Sequence, residues 1–197
     1  MIRVALTGGI ATGKSHVLEQ FRRRGVPCLD ADALAHGVMA PGTETTAAIA
    51  MRFGAGVLAA DGSVDRARLG PIVFADPAAR RELEALVHPP VYRAIVAGLR
   101  AFELTGNPPL AVADVPLLFE SGHERDFDRI LVTVCEPATQ LARLIERGMS
   151  EKDARQRIDA QWPSEEKVRR AHFVIHTDGS RQDTERQVDR VLEDLRI

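Results

Sequence analysis

The sequence predicts an α/β chain with a mainly parallel central sheet in a three-layer arrangement, interrupted by a helical insertion. Three observations lead there. An apolar run at residues 2–7 stops at Gly8-Gly9 and gives way to helical periodicity over 14–24. Apolar runs of strand length return at 110–113, 129–135 and 173–175. Between them, residues 31–104 show helical spacing and little that reads as strand, which is too long for a simple connection.

Taken in order, residues 2–7 form a buried strand. In the helix over 14–24, Val17, Leu18 and Phe21 share one face. A second strand lies at 26–29, and two parallel strands joined by a helix imply a right-handed crossover. Within the insertion, 80–87 and 91–104 carry apolar residues at helical spacing. The stretch 54–62, Pro71 and Pro89-Pro90 read as breaks. After the strands at 110–113 and 129–135 come a helix over 138–147 and a charged helical stretch over 151–161. A last strand at 173–175 and an amphipathic helix over 182–195 close the chain.

Residues 8–15 read Gly-Gly-Ile-Ala-Thr-Gly-Lys-Ser and fit G-x-x-x-x-G-K-[ST], with a strand before and a helix after. Glycines let successive backbone N–H groups turn into one concavity, and the helix start favours an anion. Gly8, Gly9, Ile10, Ala11, Thr12 and Gly13 are thus expected to cradle a nucleoside triphosphate, with His16 just beyond. Lys14 reaches the β- and γ-phosphates and the Ser15 hydroxyl ligates Mg²⁺ in such loops. The Asn-Lys-x-Asp segment by which GTPases read their base is not in the chain.

Asp30 and Asp32 follow the second strand, at the sheet edge where ligands bind in open α/β folds. Either carboxylate can take a proton from an acceptor hydroxyl, and Asp30 serves equally as a helix cap. Asp114 ends the run Leu110-Ala-Val-Ala-Asp114; it fits an acid that holds Mg²⁺ and equally a turn-initiating residue before Val115-Pro116. Glu120 is a candidate pocket residue. Arg143 and Arg147 share a helix face, placed either to stabilise a moving phosphoryl group or to pair with Glu136, Glu146 or Glu151. Arg155 and Arg157 on the next helix are weaker candidates. His88, before Pro89-Pro90, is read as opening a helix, as a cap or as a ligand contact.

The chain has 197 residues, a net charge of −2 and 45% hydrophobic residues, which points to a globular protein without a general nucleic-acid field. Of 26 basic residues only Lys14, Lys152 and Lys167 are lysines. Cys28 and Cys135 read as buried free thiols. The start lacks a secretory-signal pattern and no apolar run reaches membrane-spanning length, so a cytoplasmic location without membrane partners is expected.

In order, Leu6-Thr-Gly-Gly-Ile, Gly13-Lys-Ser, Asp30-Ala-Asp32, His88-Pro89 and Asp114-Val-Pro-Leu-Leu-Phe-Glu120 resemble the dephospho-CoA kinase family. The likeness continues through Gln140-Leu-x-Arg143, Arg147, Arg157-Ile-x-x-Gln161 and Ala171-x-Phe-Val-Ile175. It implies a P-loop NTPase core at about 1–35, 107–138 and 170–197, a helical CoA-substrate lobe at about 36–106, and a mobile lid at about 139–169. It also implies transfer of phosphate from ATP to the ribose 3′-hydroxyl of dephospho-CoA, the last step of coenzyme A synthesis. Asp32 would be the general base, Lys14 and the loop amides would hold ATP, and Arg143 would steady the phosphoryl group. Asp32, His88, Glu120 and Arg147 would contact the substrate, and Ser15 and Asp114 the metal. A nucleoside-monophosphate-type kinase shares the loop, insertion and arginines, yet does not account for Asp30-Ala-Asp32 together with His88-Pro89. Three positions depart from the family pattern: Ala11 in place of Gly, His16 in place of Thr, and Thr177 in place of an Asn on the nucleotide side.

Overall fold

The computed structural model describes residues 1–195. The chain divides into two units: Met1–Leu29 with Leu99–Ile197, and Asp30–Gly98.

The first unit carries a five-stranded sheet in the order β2-β3-β1-β4-β5. Its strands are β1 (Ile2–Gly8), β2 (Cys28–Asp30), β3 (Leu110–Asp114), β4 (Arg129–Val134) and β5 (Phe173–His176). β1 pairs in parallel with β3 and β4, and β4 with β5. Between and after the strands run α1 (Lys14–Arg23), α6 (Pro137–Glu146), α7 (Glu151–Asp159), α8 (Ser164–Arg169) and α9 (Arg181–Leu195). On one sheet face Val4, Leu6, Val112, Leu131 and Ile175 pack with Val17, Leu18 and Phe21 of α1. Val188, Val191, Leu192 and Leu195 of α9 complete this core. The alternation of strand side chains and the helical spacing of α1 are what bring these residues together.

The second unit holds α2 (Ala31–Val38), α3 (Glu44–Phe53), α4 (Arg66–Ala75) and most of α5 (Pro77–Thr105). Local side chains start its helices: Asp30 accepts from the Asp32 and Ala33 N–H groups, Thr43 from Thr46, and Asp65 from Ala67 and Arg68.

Three expectations change. Pro71, Pro89 and Pro90 do not break the insertion: Pro71 lies inside α4, and α5 runs unbroken through Pro89-Pro90. An interior proline costs a helix about 3 kcal/mol. Here Ala79, Val87, Val91, Ile95 and Leu99 form a buried stripe that passes across the prolines, and that burial outweighs the cost. His88 therefore opens no helix; it is an exposed residue in mid-helix. The second strand begins at Cys28 rather than residue 26, because Val26 donates its N–H to Phe21 in the turn at Gly25. Helix α8 was not anticipated in the sequence.

The free cysteines are Cys28, half-buried, and Cys135, buried. Burial pushes the Cys28 thiol from 9.0 up to about 12. The folded state thus keeps a proton that the unfolded chain loses above pH 9, so stability present below pH 9 is lost as pH rises towards 12. Chemical denaturation of wild type and Cys28→Ala across this range should show the steeper decline in wild type. Parallel declines would mean that the thiol is not held protonated.

Candidate active site

The loop between β1 and α1 follows from its residues. Gly13 adopts φ +87° and starts α1 with no side-chain cap, so no capping side chain competes with an anion at the helix start. At Gly8 a Cβ would fall 2.3 Å from Thr133 Oγ1, so only glycine fits against β4. Thr12 Oγ1 donates to the Gly9 carbonyl (2.8 Å) and lies 2.8 Å from Thr133 Oγ1, tying the loop to itself and to β4.

Ala11 does adopt the left-handed conformation, φ +60°. For an L-residue this costs about 1–2 kcal/mol. Its buried methyl group packs with Leu144 of α6 and Ala154 of α7, which offsets part of that cost. Because glycine also loses more chain entropy on folding, Ala11→Gly should change stability by no more than about 1 kcal/mol. Urea denaturation checks this; a loss above about 2 kcal/mol would mean that the methyl contact dominates.

Thr177, which stands where the family pattern has an Asn, is buried against the loop. Its hydroxyl donates to the Thr12 carbonyl (2.9 Å) and accepts from Arg143 (3.0 Å). The Arg143 guanidinium also donates to the Ala11 carbonyl (3.1 Å) and the Thr177 carbonyl (2.5 Å). Arg143 is therefore fixed on the loop and is not a solvated partner of neighbouring glutamates. Arg155, by contrast, pairs with Glu151 on an exposed face.

A cavity of about 460 Å³ opens beside the loop. Ala11, Gly13, His16, Arg143, Arg147 and Thr177 are among its lining residues. Nε2 of His16 is buried and has no hydrogen-bond partner among the described residues. Arg143 and Arg147 thus meet on one cavity wall, as their spacing predicts.

Asp114 is buried at the end of β3, opposite Leu6 in the sheet register and so on the same sheet edge as the loop. Ser15 is exposed in the first turn of α1, next to Lys14. Glu120 directs Oε1 at Lys167 Nζ (2.7 Å) and accepts from the Trp162 N–H (3.2 Å). It holds the segment after α7 rather than standing open in a pocket. Asp32 and His88 belong to the second unit, where both are exposed. Three residues that shape the loop carried no assigned role in the sequence: Thr133, Gln140 and Gln161. A polar residue on the apolar face of α6 is the signal for Gln140, and the stretch Arg157-Ile-x-x-Gln161 marks Gln161 without giving its role; for Thr133 no local signal exists.

A protein-family model described as dephospho-CoA kinase matches residues 2–183. The chain belongs to the dephospho-CoA kinase family. A dephospho-CoA kinase of Geobacillus kaustophilus is 44% identical over 192 residues, which span 97% of this chain and 95% of that one. Among solved structures, TT1252 from Thermus thermophilus superposes with a TM-score of 0.78 at 35% identity, covering 98% and 97% of the two chains. Dephospho-CoA kinase from Campylobacter jejuni superposes with a TM-score of 0.73 at 27% identity, covering 98% and 96%. Family members are phosphotransferases that use ATP as phosphoryl donor and catalyse the final step of coenzyme A synthesis. Among the described residues, no helix is long and apolar enough to cross a membrane.

Proposed function

We propose that this member of the dephospho-CoA kinase family transfers the γ-phosphoryl group of ATP·Mg²⁺ to the ribose 3′-hydroxyl of dephospho-CoA, with the loop at 8–15 as its phosphate site. The observation that carries the reading is the uncapped start of α1 at left-handed Gly13, beside an arginine-lined cavity. Lys14 neutralises the β- and γ-phosphates, and the loop at 8–15 wraps the polyphosphate with His16 just beyond it. Arg143, immobilised by three hydrogen bonds, supplies positive charge without reorganisation as the phosphoryl group moves. Arg147 adds charge on the same wall. Asp32 takes the proton from the attacking hydroxyl; its support is its position two residues beyond the end of β2, together with its exposure.

The helical unit Asp30–Gly98 is read as the acceptor side, with His88 a substrate contact, and the segment 139–169 as the lid. Ser15 and Asp114 offer the hard oxygen donors that Mg²⁺ prefers. When bound, Mg²⁺ would offset charge on the β- and γ-phosphates. Cytoplasmic residence is part of the same reading.

Coenzyme A formation from dephospho-CoA and ATP, followed with and without Mg²⁺, tests the proposal. Product should appear with Mg²⁺, vanish with excess EDTA and return on Mg²⁺ addition. ADP release with nucleoside monophosphates, and none with dephospho-CoA, would contradict it.

A further inference from the structure

The phosphate loop is fastened to α6 and to the segment after α7 through one peptide group on each side of a single residue, Ile10. Its N–H donates to Gln161 Oε1 at 2.7 Å. Its carbonyl accepts from Gln140 Nε2 at 2.6 Å. The two glutamine amides present opposite ends, one an acceptor and the other a donor, so each satisfies the Ile10 group it faces. Both approach the loop at Gly9, where a Cβ would fall 2.9 Å from Gln140 Nε2 and 3.6 Å from Gln161 Oε1. The same stretch is held by apolar contact, since Ile10 and Ala11 pack with Leu144 and Ala154.

Gln161 is itself anchored. The next residue, Trp162, donates its backbone N–H to Glu120 and stacks on Phe119 with ring centroids 6.0 Å apart. Glu120 in turn is paired with fully buried Lys167. The position of Gln161 is therefore set from the core of the fold, and not by the end of α7 alone.

We propose that Gln140 and Gln161 are positioning residues that hold the Ile10 peptide groups and so keep the phosphate loop in its anion-binding shape. Through them, the shape of the loop and the placement of the α6–α7 hairpin are one variable. Movement of the hairpin during turnover would then alter affinity for the polyphosphate without any direct contact between these glutamines and ATP. This inference rests on the loop at 8–15 being the ATP site.

The test uses the full chain with Gln140→Met, Gln161→Met and both together; methionine keeps the length and removes the hydrogen bonds. Each single change should raise KM for ATP about tenfold while KM for dephospho-CoA stays within about twofold. Because both bonds serve one loop segment, the double variant should raise KM for ATP by less than the product of the single effects. Hydrogen exchange of the Ile10 amide in the unliganded wild type supplies a reading that needs no variant: it should be slow, as for a bonded amide. Exchange at the rate of an open loop overturns the proposal, as does an unchanged KM for ATP in folded methionine variants. So does an equal rise in both KM values accompanied by a lower melting temperature. Failure of the wild type to bind ATP would instead remove the assignment of the loop, and the positioning role with it.

Discussion

Asp32→Asn should lower turnover by about 10²–10⁴-fold while ATP continues to bind. The substitution keeps the shape of the side chain and removes the carboxylate proposed to accept the proton. It should hardly disturb folding: Asp32 is exposed in the first turn of α2, where a lost negative charge costs about 0.3–1 kcal/mol. Asp30 provides the contrast. Its side chain caps α2 through the Asp32 and Ala33 N–H groups at 3.0 and 3.2 Å. Asp30→Ala should therefore cost about 1 kcal/mol of stability and have the smaller effect on turnover. Steady-state kinetics with dephospho-CoA as acceptor, beside thermal melting of both variants, separates the roles. If Asp32→Asn turns over within threefold of wild type, Asp32 is not the base.

Glu120→Ala should lower stability strongly. It strands Lys167, whose side chain is 0% exposed, without its carboxylate partner. Removing one member of a buried pair costs about 3–5 kcal/mol, because a charge remains where water cannot reach it. For a chain of this size that corresponds to a melting temperature lower by roughly 6–20 °C. The change also removes the acceptor of the Trp162 N–H, freeing the segment that carries Gln161. Replacing both partners, as Glu120→Gln with Lys167→Met, should recover much of the loss, since no buried charge is then left unpaired. A Glu120→Ala protein that melts within 2 °C of wild type would show that the pair contributes little.

Much of the fold was legible because it is written in short-range patterns. The loop at 8–15 is a backbone motif, and its glycines are needed by local geometry: Gly13 for its left-handed φ and Gly8 for its approach to β4. The strand runs and the apolar face of α1 appear where periodicity places them. The prolines of α5 misled for an equally clear reason. Their local preference opposes a helix, and only the burial of the stripe from Ala79 to Leu99 overrides it. The exchange at Thr177 could be noticed in the sequence, yet its consequence could not. Its hydroxyl joins Thr12 to Arg143, and neither lies near it in the chain.

The candidate site divides along the same line. Lys14, Ser15, Asp32 and the Arg143–Arg147 spacing were visible as residue types in a suitable local context. Glu120 was singled out as a pocket residue, but its pairing with Lys167 depends on α8, a helix the pattern did not reveal. By itself, then, the sequence determined a glycine-rich loop of the G-x-x-x-x-G-K-S pattern between a strand and a helix, the order of the strands along the chain, and the family. What holds the loop in shape was decided only by the tertiary structure. Gln140 lies 130 residues from Ile10, and Gln161 lies 151 residues away. A hydrogen bond between such distant residues depends on how the sheet and helices pack, and no local pattern of residues encodes it.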